Sequence, residues 1–435
     1  MKKTTKTRKT KNKSAAVASA IEFNDMNDIL PPDMPLWEKL EKFAFVAADF
    51  YNFSQIETPI LERLDIFAKA KMAGEEGFRP PLSVKSKHKD ELVLRSDMRI
   101  PTMRSYLANG FSKLPQPQHL FYLGPIFREG QDGRPVELHE LGFEIIGGPT
   151  DAVYDVQAIN IAYKFLEDIR IKNLIIRINS SGCLVCRPNY RKKLVNYYKS
   201  LETCGSCAKH LGKNPIKILA CASEKCAGLK SGAPSILDSL CNGCNNHFRN
   251  TLEFLEEMER PYMLDTHLTP SADYYDKTIF QIVAENEEIG SVVLASGGRY
   301  DYLAEAMGGH STPAVGVSIG FRAIFDFVKA RSLVNVKAKN KVFLVYIGDL
   351  AKKKALSLIE EFSRHNVPVI ESLGRDSLAT QLEFALKVGS PLGLIFGQKE
   401  AYEESVILRD MKTGTQEIIP LRKIVEEVKK RLKEY

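Results

Sequence analysis

Apolar side chains from Leu36 to Phe50 recur three and four positions apart behind a Pro-rich start. That spacing predicts an amphipathic helix. A β-rich stretch follows and ends at Pro59. From about 92 to 180, LVLRSDMRIPTMRSYL, HLFYLGPIFREG and HELGFEIIGG predict strands and helices of one α/β layer. SVVLASGGRYDYLAEAMGG and TPAVGVSIGFRAIFDFV return to the pattern of a packed core. KARSLVNVKAKNK, residues 329–341, is basic and has no strong periodicity, as a linker would. Beyond it VFLVYIG, a Lys-rich helix, VPVIES, a second helix, LGLIFG and SVILRDM alternate. This alternation predicts a small α/β domain of about 95 residues.

The segment 179–250 breaks the pattern, having few long apolar runs and all eight cysteines of the chain. They form four doublets: Cys183/Cys186, Cys204/Cys207, Cys221/Cys226 and Cys241/Cys244. Zinc takes four thiolates at tetrahedral corners about 2.3 Å from the ion. A two- to four-residue turn supplies one edge of that tetrahedron and a distant doublet the other. A disulfide framework suits small secreted domains, and no export signal opens this chain. The reading is therefore an inserted module held by structural Zn²⁺. Four thiolates would close the shell against water. Which doublets share an ion, and whether one or two ions bind, stays open at this stage.

The 435 residues are 44% hydrophobic and 26% charged, which suits two or three soluble globular domains. No run approaches the roughly 20 apolar residues of a membrane helix, and a cytoplasmic protein without a membrane partner is expected. The net charge of +7 has a local source: seven lysines and arginines fall within the first fourteen residues. That tail, 1–22, reads as disordered, either a solubilising arm or a loose contact for a polyanion.

The motifs together resemble the histidine–tRNA ligases, a family of class II aminoacyl-tRNA synthetases. NDILPPD with IETPILERLDIF is similar to that family's dimer-forming first motif, and YLGPIFREG with HELGFEIIG to its second. DYYDKTIF and GGRYDYLAEAMGG with TPAVGVSIG are similar to its histidine-specific blocks and third motif. The Cys-rich insert resembles an insertion domain of bacterial members, and the last 95 or so residues resemble an anticodon-binding domain. The resemblance implies an α+β fold: a six-stranded antiparallel sheet with flanking helices, divided as 23–178 and 251–328 around the insert at 179–250. A linker at 329–341 and an α/β anticodon-binding domain at 342–435 complete it. It also implies a homodimer that activates histidine with ATP and Mg²⁺ and passes it to tRNA(His).

By resemblance, Arg128 grips the carboxylate and the α-phosphate, and Asp97 meets histidine's amino group. Glu144 and Tyr275 read the imidazole, with Tyr300 alongside and Glu140 standing where the family has glutamine. On the ATP side the matching positions are Arg128, Glu129 and Leu138, with Arg322 close to the third-motif arginine. Arg375, Gln381 and Arg409 of the last domain are candidate donors to anticodon bases. Arg99 stands where the family carries threonine. Pro270 and Ala323 stand where it carries phosphate-binding arginines. Losing two such donors slows adenylation by on the order of 10⁴–10⁶ unless Arg99, Lys277 or Arg322 reaches in. Two alternatives follow: a non-catalytic paralogue that binds histidine or tRNA as a sensor or carrier, and a regulatory subunit of histidine biosynthesis.

Overall fold

The computed structural model describes residues 28–70, 81–85, 91–130, 133–270, 272, 274–286, 290–335, 340–371 and 377–435. The basic tail 1–22 and Arg375 lie outside these residues. The chain divides into two compact units, one up to residue 336 and one from 337.

Strands of the first unit are β1 (Ser54–Gln55), β2 (Leu61–Arg63), β3 (Ser83–Val84), β4 (Leu92–Leu94), β5 (Gln118–Glu129) and β6 (Pro135–Ile146). They continue with β7 (Leu174–Gly182), β8 (Tyr262–Leu264), β9 (Asp276–Asn286), β10 (Gly290–Arg299) and β11 (Ala314–Gly320). Eight of them form one sheet in the order β1-β5-β6-β11-β10-β9-β7-β8. The six central strands pair antiparallel throughout, as expected. Two short edge strands, β1 and β8, pair parallel and widen the sheet. At two and three residues they are too short to leave a periodic signal in the sequence.

Both faces of this sheet are covered, because neighbouring residues of a strand point to opposite sides. Phe121, Ile145 and Val315 join the large core under the helices. Their neighbours Leu120, Ile146 and Ala314 join a second core on the other face, with Met103, Tyr275 and Tyr300. On the helical side, Met34–Phe50 carries Pro35 in its first turn and buries Trp37, Leu40, Ala44 and Ala47, the stripe expected from its spacing. Asp151 starts the helix Ala152–Asp168 by accepting the Val153 N–H at 2.9 Å. Each fully buried aliphatic or phenyl group, such as Ile159 or Phe165, contributes about 1.5–3 kcal/mol by leaving water.

The inserted segment is narrower than its composition suggests. Residues 179–182 are the end of β7, and the helix Asn242–Glu257 sends Phe248 and Leu255 into the large core. Between them Tyr190, Leu194, Tyr198, Ile218, Leu219 and Ile236 make a small separate cluster around Cys207 and Cys226.

A buried ionic network braces the strand ends that carry the site. Arg299, at the end of β10, is 1% exposed. Its guanidinium pairs with Asp155 and with Asp301 at 3.1 Å, and donates to the Asp151 carbonyl at 2.9 Å. His247 closes on Asp155 from the helix Asn242–Glu257 at 3.3 Å. Arg299 beside it holds the Asp155 carboxyl well below the usual range although burial opposes ionisation. Removing one partner of such a network leaves a buried charge uncompensated. Arg299→Ala is therefore expected to lower unfolding stability of the first unit by about 3–5 kcal/mol in urea titrations. A loss below about 1 kcal/mol, the size of an exposed pair, would contradict this.

The second unit holds β12 (Val342–Tyr346), β13 (Val369–Glu371), β14 (Leu392–Phe396), β15 (Ser405–Asp410) and β16 (Gln416–Pro420). Their order is β13-β12-β14-β15-β16, parallel across the first three and antiparallel in the last two pairings. Every residue of β12 and β14 is buried, which explains their unbroken apolar runs. Helices Asp349–Arg364, Leu378–Lys387 and Leu421–Leu432 complete the alternation.

Candidate active site

Two glycines make room for the site. Gly142 lies opposite Tyr122 on β5, and Gly316 lies opposite Glu144 on β6. A Cβ at Gly142 would fall 2.2 Å from the Tyr122 ring, and one at Gly316 would fall 1.6 Å from the Glu144 carboxylate. Neither position accepts any other residue without displacing a polar side chain that the site uses.

Glu144 is fully buried and is the hub. Tyr122 donates to its Oε1 at 2.8 Å and Tyr300 to its Oε2 at 2.6 Å. Arg99 Nε lies 3.0 Å from both oxygens. The Arg99 guanidinium also reaches the hydroxyls of Tyr275 and Tyr274, and Ser318 Oγ at 3.1 Å. Burial works against the Arg99 charge, but Glu144 and the surrounding tyrosines together outweigh it and the guanidinium stays protonated. Burial pushes the Glu144 carboxyl above its usual range, opposed by the Arg99 charge and by the hydrogen bonds from Arg99, Tyr300 and Tyr122.

From this hub a chain of contacts runs outward. Tyr274 donates to Asp97 at 3.2 Å, and Asp97 accepts the Ile100 N–H at 3.0 Å. Glu140 accepts the neighbouring Met98 N–H at 3.4 Å and meets Arg128 at 3.5 Å. Arg128 is half-exposed at the outer end, steadied by the Ser96 carbonyl at 2.7 Å. Burial, followed by the Asp97 charge, pushes the Glu140 carboxyl up to about 7. The structure thus brings Arg128, Glu140, Asp97, Tyr275, Tyr300 and Glu144 into one continuous polar column.

Other expected positions stand apart from it. Leu138 is exposed on β6 opposite Ile126, and Glu129 pairs with Pro135 at the turn end of the same hairpin. Arg322 pairs with Asp326 one turn along its helix, at 3.1 Å. Each of the three cations named as possible phosphate contacts is paired with an acid: Arg99 with Glu144, Lys277 with Asp276 and Asp301, and Arg322 with Asp326. Pro270 is half-buried and Ala323 exposed. Tyr122, Tyr274 and Ser318 were not foreseen from the sequence. Tyr274 had a signal in the DYY run, whereas Tyr122 and Ser318 become visible only once β5 and β11 are set beside β6.

The family of the chain is given by its similarity to known proteins. The family model described as Histidyl-tRNA synthetase matches residues 25–184 and 234–324, and the one described as Anticodon binding domain matches 341–431. The histidine–tRNA ligase of Desulforamulus reducens is 32% identical over 412 residues, covering 93% of this chain and 98% of the relative. That of Dehalococcoides mccartyi is 32% identical over 411 residues, with the same coverage. The chain belongs to the histidyl-tRNA synthetase family. The fold agrees: apo histidyl-tRNA synthetase of S. aureus superposes with a TM-score of 0.78 at 24% identity, covering 93% of this chain and 98% of that one. The gap between the two parts of the synthetase match, 185–233, falls inside the Cys-rich module.

In this synthetase-family chain the cysteines form two nested groups. Cys183 and Cys186 meet Cys241 and Cys244, while Cys204 and Cys207 meet Cys221 and Cys226. Four ligands at 2.3 Å from a tetrahedral ion stand about 3.8 Å from one another. The sulfur separations are 3.6 Å for Cys183–Cys186, 3.9 Å for Cys183–Cys241 and 3.8 Å for Cys204–Cys221. Backbone N–H groups already point at the sulfurs: Cys241 N–H at Cys186, Cys204 N–H at Cys226 and Ser223 N–H at Cys221. Such donors stabilise thiolate over thiol. The donor set and its spacing fit zinc at both sites. The eight thiols are unbridged.

In the second unit one expected RNA contact is corrected. Gln381 is fully buried, and its amide is spent on Tyr346, donating to the carbonyl at 2.9 Å and accepting the N–H at 3.1 Å. It ties a helix to β12 and offers nothing to a base. Arg409 is half-buried on β15, between Gly393 and Gln416. No described helix is long and apolar enough to cross a membrane.

Proposed function

We propose that this chain is a histidine–tRNA ligase, joining histidine to ATP as histidyl-adenylate and then to tRNA(His). The observation that carries the reading is the polar column from Arg128 through Glu140 and Asp97 to Glu144 and the tyrosines. It offers, in order, a cation for a carboxylate and phosphate, two acids for an ammonium group, and a carboxylate with phenols for an imidazole. Arg128 would hold the substrate carboxylate against the α-phosphorus and stabilise charge on the non-bridging oxygens as the bond forms. Mg²⁺ bound with ATP would supply neutralisation of the phosphate charge, which Pro270 and Ala323, carrying no charge, do not offer. The blind end, where Glu144, Tyr122, Tyr275 and Tyr300 are buried together, would reject side chains lacking matched N–H groups, because those polar atoms would be left unpaired.

The two four-cysteine groups are proposed to hold one structural Zn²⁺ each. The outer group would clamp the module onto β7 and the helix Asn242–Glu257, and the inner one would order the module itself. The first-motif resemblance supports a homodimer, and the second unit, including Arg409, is proposed to bind the tRNA. Charging of tRNA(His) with labelled histidine is the direct test; incorporation of another amino acid in its place would overturn the reading.

Glu140 gives this function a pH signature. At pH 7 its carboxyl is close to half protonated in the free protein. An ammonium group placed beside it favours the carboxylate, so binding expels a proton and tightens as pH rises through about 7. Histidine affinity is expected to rise between about pH 6 and 8, by up to roughly tenfold per unit of pKa displaced. Glu140→Gln should flatten that part of the profile, leaving only the titration of free histidine itself. An unchanged profile in the variant would contradict it.

A further inference from the structure

The blind end of the column is already occupied by the chain itself. Arg99 is 2% exposed, and its Nε faces both oxygens of Glu144 at 3.0 Å. Its terminal nitrogens take the Tyr275 and Tyr274 hydroxyls and Ser318 Oγ. The rings of Tyr275 and Tyr300 stand 5.4 and 5.2 Å from the guanidinium carbon. A planar, delocalised cation with N–H donors on its edge, held by a carboxylate and phenols and flanked by aromatic rings, has the recognition chemistry of an imidazolium. The groups assigned to the imidazole are therefore the ones Arg99 now uses.

We propose that Arg99 is an internal competitor of histidine: its guanidinium holds the seat of the substrate's imidazole, and histidine binds only as Arg99 swings out of it. This rests on the ligase reading above, and it makes Arg99 a determinant of substrate affinity. The position of Arg99 suits the movement. It is the first residue of the helix Arg99–Ala108, so no preceding helical turn packs over it. Two acids, Asp97 and Glu140, lie along the column outward from Glu144, and the charge of Arg99 is felt at Glu140. The apparent affinity for histidine is the intrinsic one multiplied by the fraction of molecules with the seat vacant.

Arg99→Thr removes the competitor and leaves Glu144 with Tyr122 and Tyr300. Calorimetric titration of the full-length protein with histidine should give a dissociation constant roughly tenfold to a hundredfold lower in the variant, the equivalent of one charge-assisted hydrogen bond no longer displaced. In ATP–pyrophosphate exchange the KM for histidine should fall while kcat stays within about twofold, since Arg99 touches no reacting atom. Unchanged or weaker binding in a folded variant, with wild-type protein still charging histidine, would overturn the proposal alone. Failure of both proteins to bind histidine would overturn it together with the ligase reading. Wild-type protein carrying ¹⁵N-arginine gives a test that needs no variant. The buried Arg99 Nε–H resonance should shift and lose its protection from solvent exchange when histidine saturates the site. A resonance that histidine leaves unmoved would sink the idea.

Discussion

Treatment with a strong chelator is expected to unfold the segment between Cys183 and Cys244 while the unit from residue 337 onward stays folded. The small cluster around Tyr190, Leu194 and Ile218 is the module's own apolar core, and it is too slight to order the segment alone. Structural zinc contributes about 10–16 kcal/mol of apparent binding energy in comparable small sites, which here would become folding energy. The nested pairing sharpens the expectation. Cys204→Ser should reduce zinc from two equivalents to one and loosen only the module. Cys183→Ser should also release one equivalent but cost more, because its group joins the end of β7 to the helix that sends Phe248 and Leu255 into the large core. Metal counting by plasma emission, with circular dichroism on the same samples, reads both effects. Loss of both ions in either variant would contradict two separate sites, and full retention would contradict thiolate ligation.

Arg128→Ala is the second large effect. Arg128 is half-exposed and held by one carbonyl and a 3.5 Å contact to Glu140, so its removal should leave the fold intact. Pro270 and Ala323 provide no second cation, and Arg99, Lys277 and Arg322 are each paired with an acid. The rate of histidine-dependent exchange at saturating substrate is therefore expected to drop by at least the roughly 10²–10³ seen when one preorganised oxyanion donor is lost. Arg128→Lys should recover a part of it, since a point charge replaces the planar fork. A drop of less than about tenfold with unchanged circular dichroism would place the charge stabilisation elsewhere.

Much of the architecture was legible because it rests on periodicity. The stripe Trp37, Leu40, Ala44, Ala47 and the unbroken apolar runs of β12 and β14 are written directly into residue spacing. The doublets of cysteine were equally plain, but their partition was not. Several pairings satisfy the spacing, and the nesting follows because the end of β7 and the start of the helix Asn242–Glu257 bring Cys183, Cys186, Cys241 and Cys244 together. Gln381 shows the opposite failure. A polar residue on a helix reads as a surface donor, yet this one is turned onto Tyr346, where an amide matches both a backbone N–H and a carbonyl. Arg99 was readable as a substitution but not as an occupant. Its direction is set by a buried carboxylate that must have a partner and by the space left at Gly316.

The central claim is that the column from Arg128 to Glu144 activates histidine. Histidine-dependent exchange of pyrophosphate into ATP, run on the full-length zinc-loaded protein against a panel of all twenty amino acids, tests it most directly. Exchange with histidine alone, lost in Arg128→Ala, is the predicted result. Exchange with a different amino acid, or none with any while histidine still binds, would contradict the claim and leave a protein that recognises histidine without activating it.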